Sequence, residues 1–495
     1  IVPLISELCK KLDHPPPHEL KKLSRLDIDD ATSLLNEAPA PHHVKATLRG
    51  YQLDAYRWLK YMSELKLGGL LADDMGLGKT VQAISVLTFP ALIIAPANVI
   101  FNWQRELTKF TPDLSVNIYH GAKREIDTKT DVTITTFGTI RQDIEQIERH
   151  KFGTVVIDEA QFIKNPYSKS AQAVVKIEAD FRLALTGTPI ENNLTELWSI
   201  FNFLNPGLLG GISSFNDIYV RPIEKGDTGK LARLQKRLRP FMMRRMKQDV
   251  AVELPPKTEI TNYVTLSEQE LKLYHAVRIS TKKQLLKQID KGEKIKPMQV
   301  LEALLRLRQA SCHTALVPGS KSSISTKLEL LMEFMHEITA EDHKALIFSQ
   351  WTSLLDLISK SLDEQNIAHV RIDGSTQNRM SVVDSFQDPD GPKVMIISTK
   401  AGGTGINLTQ ADHVFIIDPW WNPAVEAQAV DRAHRIGQTK PVFVHRIISK
   451  NTVEEKIIAL KESKQKLLDS AMMGAQKTTT LGITSSDIIS LLDET

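Results

Sequence analysis

The sequence has only two cysteines, Cys9 and Cys312, far apart in a chain of 495 residues. That excludes a disulfide framework and any cysteine-rich zinc module, and it favours a reducing compartment. No apolar run approaches the roughly 18 residues of a membrane span, and no basic-then-apolar signal segment opens the chain. No membrane partner is expected, and the expected setting is intracellular. Net charge is nearly absent too, since 62 Lys and Arg against 59 Asp and Glu leave +3. Such balance says little about partners, and a nucleic-acid groove would require segregated basic residues. What remains, 42% hydrophobic and 24% charged residues, is ordinary for a soluble globular protein. The length suits about two to four domains. The chain opens at Ile1 without a methionine, which reads as a fragment or as the ordered part of a longer chain.

One glycine is missing where a strict pattern requires it. The stretch Leu70-Leu71-Ala72-Asp73-Asp74-Met75-Gly76-Leu77-Gly78-Lys79-Thr80 follows an apolar run and precedes a helical one, Val81 to Leu87. Strand, glycine-bearing turn, Gly-Lys-Thr and helix form the phosphate-binding loop pattern, although GxxxxGK[ST] would have glycine at position 73. Gly76 and Gly78 let the backbone approach a polyphosphate with its N–H groups turned inward. The helix presents its positive N-terminal end. Lys79 can reach the β- and γ-phosphates, and Thr80 can hold a magnesium ion.

The rest of the first half alternates strand and helix. Strand patterns occur at Ala91 to Pro96, Val132 to Phe137, Thr154 to Ile157 and Arg182 to Leu185, which predicts a parallel α/β sheet with ligands at the carboxyl ends of its strands. The third of these strands runs into Asp158-Glu159-Ala160-Gln161. After a phosphate loop, this pair has defined tasks: Asp158 completes the magnesium shell, and Glu159 orients and deprotonates the attacking water. The fourth ends in Thr186-Gly187-Thr188-Pro189, small hydroxyl residues able to sense a neighbouring phosphate site. The cluster Arg244-Arg245-Met246-Lys247 reads as a solvated or hinge-lining face.

A mostly helical stretch, residues 267–315, and a loop at Pro318 to Ser323 precede a second run of alternation. Its strands are expected around Ala345 to Ser349, His369 to Ile372, Val394 to Ser398, Val414 to Ile417 and Val442 to Val444. This second sheet has no Gly-Lys-Thr of its own, so it should contribute the far wall of a shared cleft. Arg432 and Arg435, three apart and on one face of an expected helix, suit the arginine-finger role at a phosphate.

Taken together, these blocks resemble the helicase superfamily two ATPases and, within them, the SWI/SNF family of chromatin-remodelling, DNA-translocating motors. The resemblance runs from Leu48 to about Leu468. It rests on LRGYQ, DDMGLGKT, ALIIAPANVIFNWQRE, ITTF, DEAQFIKNP, LTGTPIENNLTELWSIFNFLNPG, FMMRRMKQDV, ALIFSQW, RIDGST, DPWWNP and QAVDRAHRIGQ, in that order. LTGTPIENNL and DPWWNP with QAVDRAHRIGQ are the most specific. Asp73 in place of the first glycine is the family's own form, and the chain resembles members bearing DEAQ.

The resemblance implies an α/β fold of two RecA-like lobes with parallel sheets, of phosphate-loop NTPase type, plus helical insertions. Residues 1–45 would be an accessory segment, 46–250 the first lobe with a helical protrusion, and 251–320 a second protrusion and linker. Residues 321–470 would be the second lobe with its brace helix, and 471–495 a tail. ATP and Mg2+ are the implied ligands. Arg49, Gln52, Asp73, Asp74, Met75, Gly76, Leu77, Gly78, Lys79, Thr80, Gln161, Gly403, Gly405 and Gln428 would surround the nucleotide. Thr80 and Asp158 would hold the metal, and Lys79, Glu159, Arg432 and Arg435 would be catalytic. Duplex DNA would be held at Asn102, Trp103, Thr136, Phe137, Ser349, Gln350, Thr399, Lys400 and Trp421, largely through phosphates and therefore with weak base preference. The implied activity is ATP-driven translocation on double-stranded DNA without strand separation, by a monomeric motor. The alternative is a strand-separating or RNA-directed helicase. Nucleosomes, or another DNA-bound complex such as RNA polymerase, are the cargoes to consider.

Overall fold

The computed structural model describes residues 41–459, apart from 42, 123, 128, 188–193, 251–253, 291–296, 403–405 and 420–422. Its strands form two sheets, and the chain divides into two compact units between residues 252 and 253.

In the first unit, helix α1 (Gly50–Glu64) leads to strand β1 (Gly69–Leu71) and helix α2 (Lys79–Ile84). Then come β2 (Ala91–Ala95), α3 (Ile100–Phe110), β3 (Val116–Tyr119), β4 (Val132–Thr136), α4 (Phe137–Ile147), β5 (Lys151–Ile157) and β6 (Glu178–Leu185). Helix α5 (Leu194–Leu204), a set of short helices and the two-residue β7 (Met242–Met243) complete the unit. Every pairing is parallel, in the order β3-β4-β2-β5-β6-β1-β7. The central strands are continuous aliphatic runs because helices cover both faces; all five residues of β2 are buried.

The register matters for function. Leu71 of β1 lies opposite Leu185 of β6, and Ile157 of β5 lies opposite Ala184. The carboxyl ends of β1, β6 and β5 are thus level, with β1 and β5 separated by a single strand. At normal strand spacing that is about 10 Å, a distance one triphosphate with its metal can span.

The second unit begins with β8 (Lys257–Val264), α6 (Glu268–Asp290), α7 (Pro297–Cys312) and α8 (Thr326–Ala340). It continues with β9 (Ala345–Ser349), α9 (Thr352–Glu364), β10 (His369–Ile372), β11 (Val394–Ser398), β12 (His413–Ile416), α10 (Pro423–Val430) and β13 (Val442–Ser449). Residues 453–459 are helical. This sheet is also wholly parallel, in the order β10-β11-β9-β12-β13-β8.

Two parallel sheets with flanking helices are the α/β architecture the alternation predicts. Strands β3, β7 and β8 are additions. Each lies at or near a sheet edge; β8 is mostly exposed and polar, yet pairs with β13 along its full length. An edge strand lacks the apolar signature that a buried one carries. Among the described residues no helix is long and apolar enough to cross a membrane.

Candidate nucleotide site and the loops around it

The loop after β1 is shaped by its glycines and pinned by its neighbours. Gly76 and Gly78 have φ of 83° and 78°, a left-handed region in which a side chain is strained. A Cβ on Gly78 would also lie 2.5 Å from Gln52 Nε2. The carbonyl of Leu77 accepts three bonds, from Tyr51 Oη (3.1 Å), Gln52 Nε2 (3.2 Å) and Gln82 Nε2 (3.1 Å). Gln52 Oε1 in turn accepts from Arg49 N at 3.0 Å. The Gln52 amide, expected beside the nucleotide, joins the start of α1 to the loop. Lys79 opens α2, and its Nζ donates to the carbonyls of Asp73 (2.6 Å) and Asp74 (3.1 Å).

Asp73, expected beside the nucleotide, has no exposed surface. Its Oδ1 accepts from Arg245 N (3.1 Å) and Nε (3.0 Å), and its Oδ2 pairs with Arg245 Nη2. The same guanidinium donates to Gln82 Oε1 at 2.8 Å and to Tyr51 O, and lies over the Tyr51 ring at 5.2 Å. Asp74 Oδ2 accepts from Lys247 N at 3.0 Å. Both acidic residues are therefore anchors for the segment after β7. Arg245, read from sequence as part of a solvated or hinge-lining face, is a structural partner of the loop. Its signal is invisible locally, because 172 residues separate it from Asp73.

At the end of β5, Asp158 is held from three sides. Its N–H donates to Ile94 O at 2.9 Å, its Oδ1 accepts from Glu159 N at 2.9 Å, and its Oδ2 accepts from Trp103 Nε1 at 2.8 Å. Glu159 sits at φ 53°, ψ 59°, a left-handed conformation costly for a non-glycine residue and concentrated at functional sites. Gln161 Nε2 donates to Glu159 Oε2 at 2.7 Å, and Gln161 Oε1 accepts from Thr186 Oγ1 at 3.1 Å. The DEAQ glutamine thus links the candidate base to the threonine at the end of β6. Glutamine can donate and accept at once, which this link requires.

A magnesium ion takes hard oxygen ligands and keeps several waters. The Thr80 hydroxyl, in the first turn of α2, and the Asp158 carboxylate, just past β5, are such donors, so the residues present fit that ion.

Several residues expected at the DNA have buried side chains. Trp103 and Ser349 have no exposed surface, and Thr136 and Phe137 are about 6% exposed. Trp103 bonds to Asp158. Thr136 caps α4 by accepting from Thr139 N, and Phe137 stacks on Phe162 at 5.3 Å. Ser349 Oγ accepts from Trp351 N at 3.1 Å. Asn102 and Thr399 are half-buried. Gln350 donates from its backbone to Asp418 Oδ2 (2.9 Å), and its Oε1 accepts from Arg308 Nη1 (3.2 Å). Gly403, Gly405 and Trp421 lie outside the described residues, as does the side chain of Lys400.

Helix α10 ends at Val430, so Arg432 and Arg435 lie in the turns beyond it and do not share a helical face. Arg432 is 5% exposed and Arg435 half-buried. The segment is fixed by Gln438, whose Nε2 donates to Ala411 O (2.8 Å) and Ala433 O (3.2 Å) and whose Oε1 accepts from two backbone N–H groups. His434 Nε2 bonds to Pro255 O at 2.9 Å. Gln428 is on α10, half-buried.

Residues 51–316 match the family described as SNF2-related domain. The chain belongs to the SNF2-related family. Residues 326–437 of this SNF2-related chain match the helicase conserved C-terminal domain, and its two parallel-sheet units correspond to the two RecA-like lobes expected. It is 41% identical over 456 residues to YwqA of Bacillus subtilis, whose name describes an ATP-dependent helicase/translocase; the match covers 86% of this chain and 49% of YwqA. It is 36% identical over 478 residues to the ISWI chromatin-remodeling complex ATPase ISW1 of Saccharomyces cerevisiae, covering 89% and 42%. The chain spans about half the length of the curated relatives it matches. A solved structure described as the Sulfolobus solfataricus SWI2/SNF2 ATPase core in complex with dsDNA is 36% identical, covering 92% of this chain and 99% of that one, with a TM-score of 0.46.

Proposed function

We propose that this SNF2-related chain is an ATP hydrolase that moves along double-stranded DNA without separating its strands. The observation that carries the nucleotide part is the convergence of three segments at the carboxyl end of one sheet: the loop after β1 that leads into Lys79 and Thr80, Asp158 and Glu159 after β5, and Thr186 after β6, linked to Glu159 through Gln161. The DNA part rests on family membership and on relatives whose names carry translocase and chromatin remodelling.

In this reading the loop N–H groups and Lys79 bind the β- and γ-phosphates. Lys79 leaves the carbonyls of Asp73 and Asp74 to do so. Thr80 and Asp158 hold Mg2+, which when bound neutralises charge on the phosphate oxygens. Glu159 takes a proton from the attacking water, its carboxylate oriented by Gln161 Nε2. Thr186 couples the state of that carboxylate to β6 through the same amide. Arg432 and Arg435 are assigned the stabilisation of transition-state charge, with Gln428 near them.

Turnover should rise on adding duplex DNA and should fall about 10²–10⁴-fold in Glu159→Gln, the usual worth of a positioned base. Near-normal hydrolysis in that variant would remove Glu159 from the role. ATP-dependent displacement of a strand from a plain duplex, or stronger stimulation by RNA than by duplex DNA, would favour the helicase alternative.

A further inference from the structure

We infer that Trp103 is a positioning residue for the metal-binding carboxylate, acting through Asp158. The inference rests on the nucleotide-site reading above and concerns a residue that the site's motifs do not assign. Trp103 lies in α3, has no exposed surface, and places its indole Nε1–H on Asp158 Oδ2 at 2.8 Å. An indole is a donor only, and an ionised carboxylate is an acceptor only. The contact therefore favours Asp158 as the anion, the form that a magnesium ion needs.

The remaining bonds complete the geometry. Oδ1 is fixed by Glu159 N at 2.9 Å, and the Asp158 N–H by Ile94 O at 2.9 Å. The carboxylate is thus held at both oxygens. Holding it in advance removes the ordering cost at the moment of metal binding, and partners of a ligating carboxylate typically tune metal affinity about 10–100-fold. The bond also ties Asp158 to a helix that stands between β2 and β3 in sequence. The orientation of the metal ligand therefore depends on the packing of α3 against the sheet.

The test uses the full chain and a fluorescent ADP analogue titrated with MgCl₂. Trp103→Phe keeps an aromatic ring in the pocket and removes the N–H. The Mg2+ concentration at half-maximal nucleotide binding should rise about 10–100-fold, while affinity in EDTA stays at the wild-type value and excess Mg2+ restores binding. A midpoint within twofold of wild type would overturn the inference and leave the nucleotide site intact. Wild-type binding that ignores Mg2+ would overturn the metal assignment itself. Should Trp103→Phe fail to fold, ¹⁵N-tryptophan-labelled wild-type protein supplies the second readout. One of its six indole N–H signals should move when Mg2+ is added to the ADP-bound protein and stay fixed in Asp158→Ala. Six unmoved signals in a protein that binds Mg2+ would overturn the inference equally.

Discussion

A carboxylate with no exposed surface persists as a charge only beside a cation, and for Asp73 that cation is Arg245. The pair decides how residue 73 should be understood. Glycine there would complete the strict phosphate-loop pattern, yet it would leave the Arg245 guanidinium, itself only 15% exposed, without its counter-ion. Breaking a buried pair by removing one partner costs about 3–5 kcal/mol. We therefore expect Asp73→Gly to destabilise the first unit by about that amount in urea denaturation, and to weaken nucleotide binding because the loop loses its buried ion pair to the segment after β7. Tighter nucleotide binding in Asp73→Gly would show that the glycine pattern outweighs the anchor. Sequence alone reveals the loop because its glycines, lysine and threonine are contiguous. The sequence is silent on Arg245 and on the true use of Trp103, because each acquires its partner only when distant strands are laid side by side. Trp103 is fully buried, and its indole N–H bonds to Asp158, 55 residues away.

At the scale of elements, the second unit is tied together by a second buried ion pair. Lys327, at the start of α8, donates to both oxygens of Glu454 (2.8 and 2.6 Å) and to Ile417 O (2.9 Å). Glu454, in the helical stretch after β13, also accepts from Ser311 Oγ, Cys312 Sγ and Ser449 N. One carboxylate thus joins α7, α8, the end of β13 and the helical residues 453–459, with neither side chain more than 1% exposed. Lys327→Met should cost about 3–5 kcal/mol by stranding Glu454, whereas Lys327→Met with Glu454→Leu should regain most of it, since apolar replacements of buried pairs are often neutral. Hydrogen exchange at β13 and residues 453–459 reads both. Equal losses in the single and double variants would mean that these groups act through packing alone. The helices themselves are readable from their periodicity. The end of α10 is not: the spacing of Arg432 and Arg435 fits a helix, but Gln438 bonds to backbone groups around a turn and holds the chain there.

At the scale of the whole molecule, the repeated alternation of apolar strand and helix shows two parallel sheets, while the polar edge strands are recognised only by their pairing. Stability against pH likewise depends on groups with no sequence signal, and in the second unit they oppose one another. Burial pushes the Asp418 carboxyl up to about 6, against the pull of Arg308 and the Gln350 N–H. Burial pushes His445 down to about 4, aided by His413, whose ring stacks on it and which is itself lowered by burial. An acid with a raised folded pKa makes the native state bind more protons than the unfolded chain, so Asp418 contributes stability below about pH 4 that is lost as pH rises through 6. A histidine with a lowered pKa does the reverse: His445 contributes stability above about pH 6.5 that is lost as pH falls toward 4. Across pH 4–6.5 the two slopes subtract. Relative to wild type, Asp418→Asn should therefore lose stability more steeply as the pH is lowered through this window, and His445→Phe should lose it less steeply or gain. Urea midpoints at half-unit pH steps, read by hydrogen exchange of peptides from β9, β12 and β13, measure both slopes. If the two variants tilt the profile in the same direction, or both follow wild type, burial is not what sets these two protonation states.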